Sequence, residues 1–169
     1  QLTLDVSNRP AGVPTIGSMT ASVVSGLGIG ASDVHYAGIE SLNVLLGQGA
    51  DTFTIASTAV GTATTLNTGA GNDLVTVVST SGVSSINTGA GADTVTVQGT
   101  GAAATIDTGS ENDTVNVRAI GAALTLATGT GDDTVNVGST AGLLAGIVGP
   151  LTLDTGAGND TFNVDNSGD

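Results

Sequence analysis

The chain lacks several residue types, and each absence narrows what it can do. It has no cysteine, which excludes disulfide bonds and thiolate metal sites. Lysine and arginine together number 2 against 15 acidic residues, so the net charge is −13. This charge argues against nucleic-acid binding, which needs basic residues that displace counterions, and against anionic membrane surfaces. It favours a chain that meets cations.

Aromatic residues and long apolar runs are also scarce. Only 2% of the residues are aromatic, so a core must come from the Val, Leu, Ile and Ala that make up most of the 39% hydrophobic content. No stretch reaches the roughly 18 apolar residues of a membrane span, and we expect no membrane insertion. The length of 169 residues suits one domain.

What the chain does have is 27 glycines and a strong internal repeat. A motif of the form apolar-x-Thr-Gly-x-Gly-x-Asp recurs, with a divergent first copy. The closing aspartates are 22, 20, 20, 20 and 27 residues apart, and the last spacing carries an insertion around residues 138–149. The copies occupy residues 44–51, 66–73, 86–93, 106–113, 126–133 and 153–160.

Apolar and polar residues alternate on both sides of each motif, as in Thr65-Leu66 before it and Val75/Val77 after it. This period of two, bounded by glycine, predicts two short half-buried strands per repeat, and the β-branched residues disfavour helix. Stacked repeats would bury continuous apolar ladders. We therefore predict an all-β fold, a right-handed parallel β-solenoid of the β-helix or β-roll kind, with about 20 residues per turn.

The prediction divides this single continuous domain into irregular N-terminal turns over residues 1–40 and regular repeats over residues 41–169. Residues 11–30 are expected to be loop plus one strand. The two ends resemble each other, since residues 2–7 match residues 162–167 at an offset of 160. This match predicts a larger tandem unit, or stacking on copies of itself, because heterologous end contacts do not close.

The Gly-x-Gly-x-Asp-x-Val pattern of Gly69, Gly71, Asp73 and Val75 resembles the hemolysin-type calcium-binding repeat, the RTX β-roll. The resemblance covers residues 44–164. Threonine replaces the family's first glycine, Glu111 replaces the second glycine of one copy, and each turn has one such loop instead of two. Similar arrays occur in giant exported bacterial repeat proteins, which implies an extracellular or cell-surface location.

The resemblance implies calcium held between successive turns by aspartate side chains and glycine-loop carbonyls. The aspartates are Asp51, Asp73, Asp93, Asp113, Asp133 and Asp160. The glycines are Gly69, Gly71, Gly89, Gly91, Gly109, Gly129, Gly131, Gly156 and Gly158. Three further carboxylates beside the same edge are weaker candidates: Asp107, Asp132 and Asp154.

The residues themselves leave two interpretations of the row of aspartates open. Stacking places the aspartates about 5 Å apart, where neighbouring carboxylates repel by about 3.3 kcal/mol at an effective dielectric of about 20. Calcium suits such oxygen-rich loops. The alternative is a metal-free ladder in which glycine shapes the turn and aspartate accepts backbone amide hydrogen bonds.

No residue set predicts catalysis. His35 has no second histidine or cysteine nearby in sequence, and Glu40 and Glu111 are too isolated to form a carboxylate pair. We therefore expect a non-enzymatic structural protein, either a rigid surface stalk or a head-to-tail fibre that stacks on copies of itself or on adjacent repeats. The alternative is an adhesin-type module that binds glycan, matrix or ice through a flat face. That face would comprise Thr52/Thr54, Thr94/Thr96, Thr114/Asn116, Thr134/Asn136 and Thr161/Asn163.

Overall fold

The computed structural model describes residues 1–29 and 33–168, which form 16 short strands and no helix. The strands are β1 Leu2–Asp5, β2 Ile16–Met19, β3 Val23–Gly26, β4 Val34–His35, β5 Ser41–Leu45, β6 Thr52–Ile55, β7 Ala63–Asn67, β8 Leu74–Val77, β9 Ser84–Asn87, β10 Thr94–Val97, β11 Ala104–Asp107, β12 Thr114–Val117, β13 Leu124–Ala127, β14 Thr134–Val137, β15 Leu151–Asp154 and β16 Thr161–Val164.

From β5 onward, successive strands alternate between two sheets. The seven-stranded sheet has the order β1-β5-β7-β9-β11-β13-β15, and the nine-stranded sheet has the order β16-β14-β12-β10-β8-β6-β2-β3-β4. Strands of successive repeats pair in parallel and in register, so that Val95 lies between Val75 and Val115. The all-β prediction is confirmed, and two mostly parallel sheets of this kind are consistent with a β-solenoid.

The inward side chains of both sheets form one core. Valines of the nine-stranded sheet, such as Val95 and Val115, are fully buried and lie in the same cluster as Ile86 and Ile106 of the other sheet. Each such side chain contributes roughly 1.5–3 kcal/mol by leaving water. The predicted inward positions are thus confirmed for the repeats up to β14.

The N-terminal part departs from parallel stacking. β2 pairs in parallel with β6, but β3 is antiparallel to β2, and β4 is antiparallel to β3. The prediction of one strand in residues 11–30 is wrong, since both β2 and β3 lie there; Gly30 itself, like Asp169 at the other end, is outside the described residues. Met19, Val24 and Leu27 are buried, and the Tyr36 hydroxyl donates to the Thr20 carbonyl oxygen at 2.6 Å.

The match between the two ends does not join equivalent strands. β1 belongs to the seven-stranded sheet, whereas residues 162–164 belong to the nine-stranded sheet. Only the local turn is shared, because Asp5 Oδ1 accepts the Ser7 amide at 2.9 Å and Asp165 Oδ1 accepts the Ser167 amide at 2.9 Å. Within its own sheet, β1 has the same sequence as β15, Leu-Thr-Leu-Asp.

The first prediction concerns the close approach of the glycine turns. Gly89 has φ +97, and a Cβ there would overlap the Gly69 carbonyl oxygen of the preceding repeat. Gly61 has φ +79, but nothing lies within 4 Å of its Cβ position. We expect Gly61→Ala to lower the free energy of unfolding by about 1–2 kcal/mol, the cost of left-handed backbone. Gly89→Ala adds the overlap, so it should cost substantially more in urea unfolding. Equal losses would contradict the close approach.

Candidate functional site

The glycine turns stack through backbone hydrogen bonds. From the second copy onward, the first glycine of each turn has positive φ, for example +102 at Gly69 and +97 at Gly89. This conformation, which glycine adopts without steric cost, lets each turn bond to the next. The Ala90 amide donates to the Gly69 carbonyl oxygen at 3.1 Å, and the Ser110 amide donates to the Gly89 carbonyl oxygen at 3.0 Å. One lone pair of these predicted ligand oxygens is therefore used within the chain.

The six predicted aspartates form an aspartate column along this edge, defined as Asp51, Asp73, Asp93, Asp113, Asp133 and Asp160. All except the half-buried Asp160 are almost fully buried, at 1–2% exposure. Each backbone amide in the column donates to Oδ1 of the next aspartate, as Asp73 does to Asp93 at 2.8 Å and Asp93 does to Asp113 at 2.8 Å. The same bond recurs from Asp51 at 2.7 Å, Asp113 at 2.9 Å and Asp133 at 3.0 Å.

The second carboxylate oxygen of the column is in a different position. Oδ2 is buried without a hydrogen-bond partner at four consecutive members of the column: Asp73, Asp93, Asp113 and Asp133. In the first repeat, by contrast, the Gly47 amide donates to Oδ2 of Asp51 at 3.2 Å. A buried, unpartnered anionic oxygen is costly, so the column needs a cation or a proton at these atoms.

A parallel threonine column lies beside the aspartates, and its role was not predicted from the sequence. The buried hydroxyls of Thr68, Thr88 and Thr108 donate to the carbonyl oxygens of Thr88, Thr108 and Thr128 at 3.1, 3.1 and 3.2 Å. These threonines occupy the place of the RTX motif's first glycine. Their repetition was visible in the sequence, but the direction of the hydroxyl was not.

Burial raises the pKa of Asp73 and Asp113 from the ordinary 3.8 to about 6. The nearby threonine hydroxyl and the hydrogen bond from the preceding backbone amide oppose the effect of burial on the pKa, and the adjacent carboxylates add to it. Burial also raises the pKa of Asp93. Each hydroxyl has one proton, and where it bonds the next threonine carbonyl it cannot also satisfy the carboxylate.

The three weaker candidates lie outside the buried column. Asp107, Asp132 and Asp154 are exposed. Asp132 Oδ1 accepts the Asn159 amide at 2.8 Å, and Asp154 Oδ1 accepts the Gly156 amide at 3.0 Å. Asp132 belongs to an outer ladder with asparagines, because Asn112 Oδ1 accepts the Asp132 amide at 2.8 Å.

The copy at residues 106–113 keeps its turn in another way. Glu111 adopts φ +75 where the other copies have glycine. Its Oε2 accepts the Gly91 amide at 2.8 Å and the Ser110 hydroxyl at 2.8 Å. These bonds lower the pKa of Glu111 and hold the exposed side chain against the turn. Glu111 thus replaces glycine without breaking the stack.

Within residues 1–29 and 33–168, no three Asp, Glu, His or Cys side chains converge as a metal-binding group. A cation at the column would therefore need backbone oxygens as well as carboxylates. The basic side chains bind elsewhere: Arg118 donates to the Gly138 carbonyl oxygen at 3.0 Å, and Arg9 donates to the Leu27 carbonyl oxygen at 3.3 Å.

The opposite edge carries hydroxyls instead of carboxylates. Thr58, Thr80 and Thr100 are buried, and their hydroxyls donate to carbonyl oxygens of the following repeats, as Thr100 does to Ala122 at 3.0 Å. Ile120 takes this position in the next repeat and is buried. This edge is held by neutral hydrogen bonds and then by apolar packing.

The predicted flat face lies on the outside of the nine-stranded sheet. Its threonines align in register, as Thr94 does with Thr114 and Thr114 with Thr134. Leu74, 43% exposed, interrupts the row. The asparagines bond one another, since the Asn136 side-chain amide donates to Asn116 Oδ1 at 3.1 Å. Part of the hydrogen-bonding capacity of this face is therefore used within the chain.

The second prediction follows from the raised pKa values. Between the unfolded value of 3.8 and the folded value of about 6, the folded state binds more protons, so stability falls as pH rises through this window. In metal-free buffer, we expect urea unfolding to show more stability near pH 4 than near pH 7, by at most about 3 kcal/mol for each of Asp73 and Asp113.

Bound calcium would reverse this pH profile, because it stabilises the ionised carboxylates. Stability with added calcium should therefore rise with pH through the same window. If stability in metal-free buffer does not fall between pH 4 and pH 7, the buried, unpartnered state of the column is contradicted. Asp107→Asn, at an exposed position, is the control that should leave the profile unchanged.

No described residues form a helix with the length and hydropathy needed to cross a membrane. Comparisons of this chain with protein-family models, with curated proteins and with solved structures found no match.

Proposed function

We propose that this chain is a non-catalytic structural module, a right-handed β-solenoid with about 20 residues and two strands per turn that stacks end to end on copies of itself or on adjacent repeats. The observation that carries the proposal is the uninterrupted parallel pairing of the seven-stranded sheet from β1 to β15. Each repeat buries its apolar face only against its neighbours, so the outermost repeats need a further partner.

The last repeat supports stacking most directly. Phe162 and Val164 are 51% and 54% exposed, whereas Val135 and Val137, which pair with them in the preceding repeat, are buried. Leu151 and Leu153 of the other sheet are half-buried. These four side chains leave the core ladder open at one end of the stack. Exposed apolar surface of this kind is typical of an interaction site.

Calcium is the second part of the proposal. The residues that would hold it are the aspartate column, through the unpartnered Oδ2 atoms, and the carbonyl oxygens of the glycine turns, which keep a free lone pair. Bound calcium would supply positive charge that neutralises the buried carboxylates and couples folding to the metal. The net charge of −13 would also attract the calcium ion to the chain.

The use of aspartate instead of asparagine in the column favours a role for the negative charge of its carboxylates. Asparagine accepts a backbone amide equally well, and the outer ladder uses it for that purpose, as Asn72 Oδ1 does for the Ala92 amide at 3.0 Å. In the buried column all six positions are nevertheless aspartate, where ionisation is most costly. A ladder that needed only acceptors would not require carboxylates there.

The proposed location is the cell surface or the extracellular matrix after bacterial-type export. It rests on the resemblance of the repeats to those of giant exported bacterial proteins. The acidic turns also suit the millimolar calcium concentrations that extracellular modules bind.

The third prediction tests calcium and assembly together, by circular dichroism and sedimentation in EGTA and then with added calcium. We expect calcium to raise the urea midpoint and to promote large assemblies. Asp93→Asn keeps the amide acceptor and removes one charge, so it should weaken the calcium response. Asp107→Asn removes an exposed charge and serves as the matched control.

Equal folding and equal assembly in EGTA and in calcium would reject the calcium part. The aspartate column would then be a proton-neutralised ladder, and Asp93→Asn should stabilise the chain at neutral pH. The structural role would rest on strand stacking alone. Strictly monodisperse monomers at high concentration, in both conditions, would reject end-to-end stacking.

The second candidate function is an adhesin-type module that binds glycan or ice through the threonine face. The supporting observation is the in-register alignment of Thr94, Thr114 and Thr134. The fourth prediction is that, if this function holds, Thr94→Tyr abolishes a glycan-array or ice-recrystallisation signal and leaves the urea midpoint unchanged. A structural module gives no such signal in the parent chain.

A further inference from the structure

The edge opposite the aspartate column has one turn that is longer than its counterparts. The closing aspartates of the first two copies are 22 residues apart, against 20 in the next three intervals, and the strand register places the two extra residues between β6 and β7. They belong to a type II turn, because the Thr62 amide donates to the Ala59 carbonyl oxygen at 3.3 Å and Gly61 has φ +79. Val60 is therefore the residue at the tip of this turn.

An apolar residue is unusual at such a tip. Turn positions mostly carry Gly, Pro, Asn, Asp or Ser. Val60 is 84% exposed, so its side chain adds nothing to the core. Apart from the chain neighbours, no atom lies within 4 Å of a Cβ placed at Gly61, so the tip projects from the stack. An apolar side chain held out in this way can contact another molecule without rearrangement of the chain.

Val83 shows the same departure in the adjacent turn. It is the residue just before β9, whereas Ala103 precedes β11 and Ala123 precedes β13. Alanine at this position leaves little apolar surface, but Val83 is 60% exposed. Single apolar residues on a surface are ordinary, whereas two in adjacent turns make a patch of the kind that marks an interaction site.

The two valines line a groove on this edge. One cavity, with a volume of ≈ 360 Å³, lies between the segment after β4 and the long turn, and Ile39 and Val60 line it. A second cavity, with a volume of ≈ 280 Å³, continues along the stack to Val83. The two cavities form one edge groove, because they share three lining residues: Glu40, Gly61 and Thr62.

The edge groove is already formed in the free chain. The Thr62 side chain is 5% exposed, and its hydroxyl donates to the Ile39 carbonyl oxygen at 2.6 Å. The Ala63 amide donates to the Glu40 carbonyl oxygen at 2.8 Å. These bonds join the segment after β4 to the long turn. Docking therefore does not have to order the walls of the groove, which would weaken binding.

Charge decides what can occupy the edge groove. Glu40 is exposed, and among the described residues that line the groove it alone is charged. A basic residue would complement it, and the net charge of −13 would steer a basic partner towards the chain. A second copy is poorly suited to supply that residue, because Arg9 and Arg118 are its only basic side chains and donate to the carbonyl oxygens of Leu27 and Gly138.

We propose that the edge groove docks a short segment of a different protein, which places apolar side chains against Val60 and Val83 and a lysine or arginine opposite Glu40. The apolar contact removes the two exposed valines from water, and the ion pair selects the partner. The inference goes beyond the proposed scaffold. It depends neither on calcium nor on end-to-end stacking, since the groove lies across the solenoid from the aspartate column.

The fifth prediction uses three labelled synthetic peptides as probes, measured by fluorescence anisotropy. The first contains valines and lysines separated by serines. The second has serine in place of each valine, and the third has glutamate in place of each lysine. We expect the first peptide to bind the chain several-fold more tightly than the second, because only the first brings apolar side chains, and the third not to bind.

Variants of the two valines locate the contact. Val60→Ser and Val83→Ala should each weaken binding of the first peptide several-fold. Val148→Ser is the matched control, since Val148 is 77% exposed and lies beside Ile120, further along the same edge. It should leave the affinity unchanged. All three side chains are exposed, so each variant should keep the urea midpoint of the parent chain.

Salt and Glu40 test the ion pair. Affinity for the first peptide should fall from about 0.01 M to about 1 M salt, which shortens the Debye length from about 30 Å to about 3 Å. Glu40→Gln should lower the low-salt affinity several-fold and flatten this dependence. Asp107→Asn removes an equal charge from the outside of the seven-stranded sheet, and its effect should be much smaller.

The possible outcomes separate the groove from general attraction between charges. Equal binding of the first two peptides, or unchanged binding in Val60→Ser and Val83→Ala, would overturn the proposed docking site. Absence of binding by the first peptide at millimolar concentration would overturn it as well. If Val60→Ser instead abolishes self-assembly in sedimentation, the groove holds a second copy and the proposed partner is wrong.

Discussion

The register of the parallel strands is the constraint on which the rest of the structure depends. When every strand pairs with its counterpart in the next repeat, each position lies above and below its own kind. The sequence choice at one position is thereby repeated along the whole stack. Valine gives a continuous core, threonine gives a chain of hydroxyl bonds, and aspartate gives a column of carboxylates. Favourable and unfavourable interactions accumulate alike.

The turns show what this register costs. Neighbouring turns approach so closely that a side chain at Gly89 or Gly129 would overlap the carbonyl oxygen of the preceding repeat. Glycine is needed there for both space and positive φ. The second glycine meets the same close approach, since a Cβ at Gly91 would overlap the Gly71 carbonyl oxygen. Glu111 takes this place in one repeat with φ +75, against +125 at Gly91, and its carboxylate accepts the amide of the turn below.

The repeat made most of the strands predictable from the sequence. Alternation around Leu66 and Val75 is a local signal, and β7 and β8 lie where it placed them. The hairpin formed by β2 and β3 was missed because nothing in its residues repeats. The resemblance of residues 2–7 to residues 162–167 was a likeness of turns, which cannot show which sheet a strand joins. The aspartates were predicted, but side-chain direction depends on tertiary packing, so the burial of Oδ2 was not.

The placement of charge separates two uses of aspartate in this chain. On the outside of the seven-stranded sheet, neutral residues such as Ala127 lie between carboxylates, which avoids direct repulsion even where water would weaken it. In the buried column, where repulsion is strongest, no neutral residue interrupts the aspartates. A sequence that avoids adjacent charges at its surface and keeps them in its interior fits a column whose charge is neutralised from outside the chain.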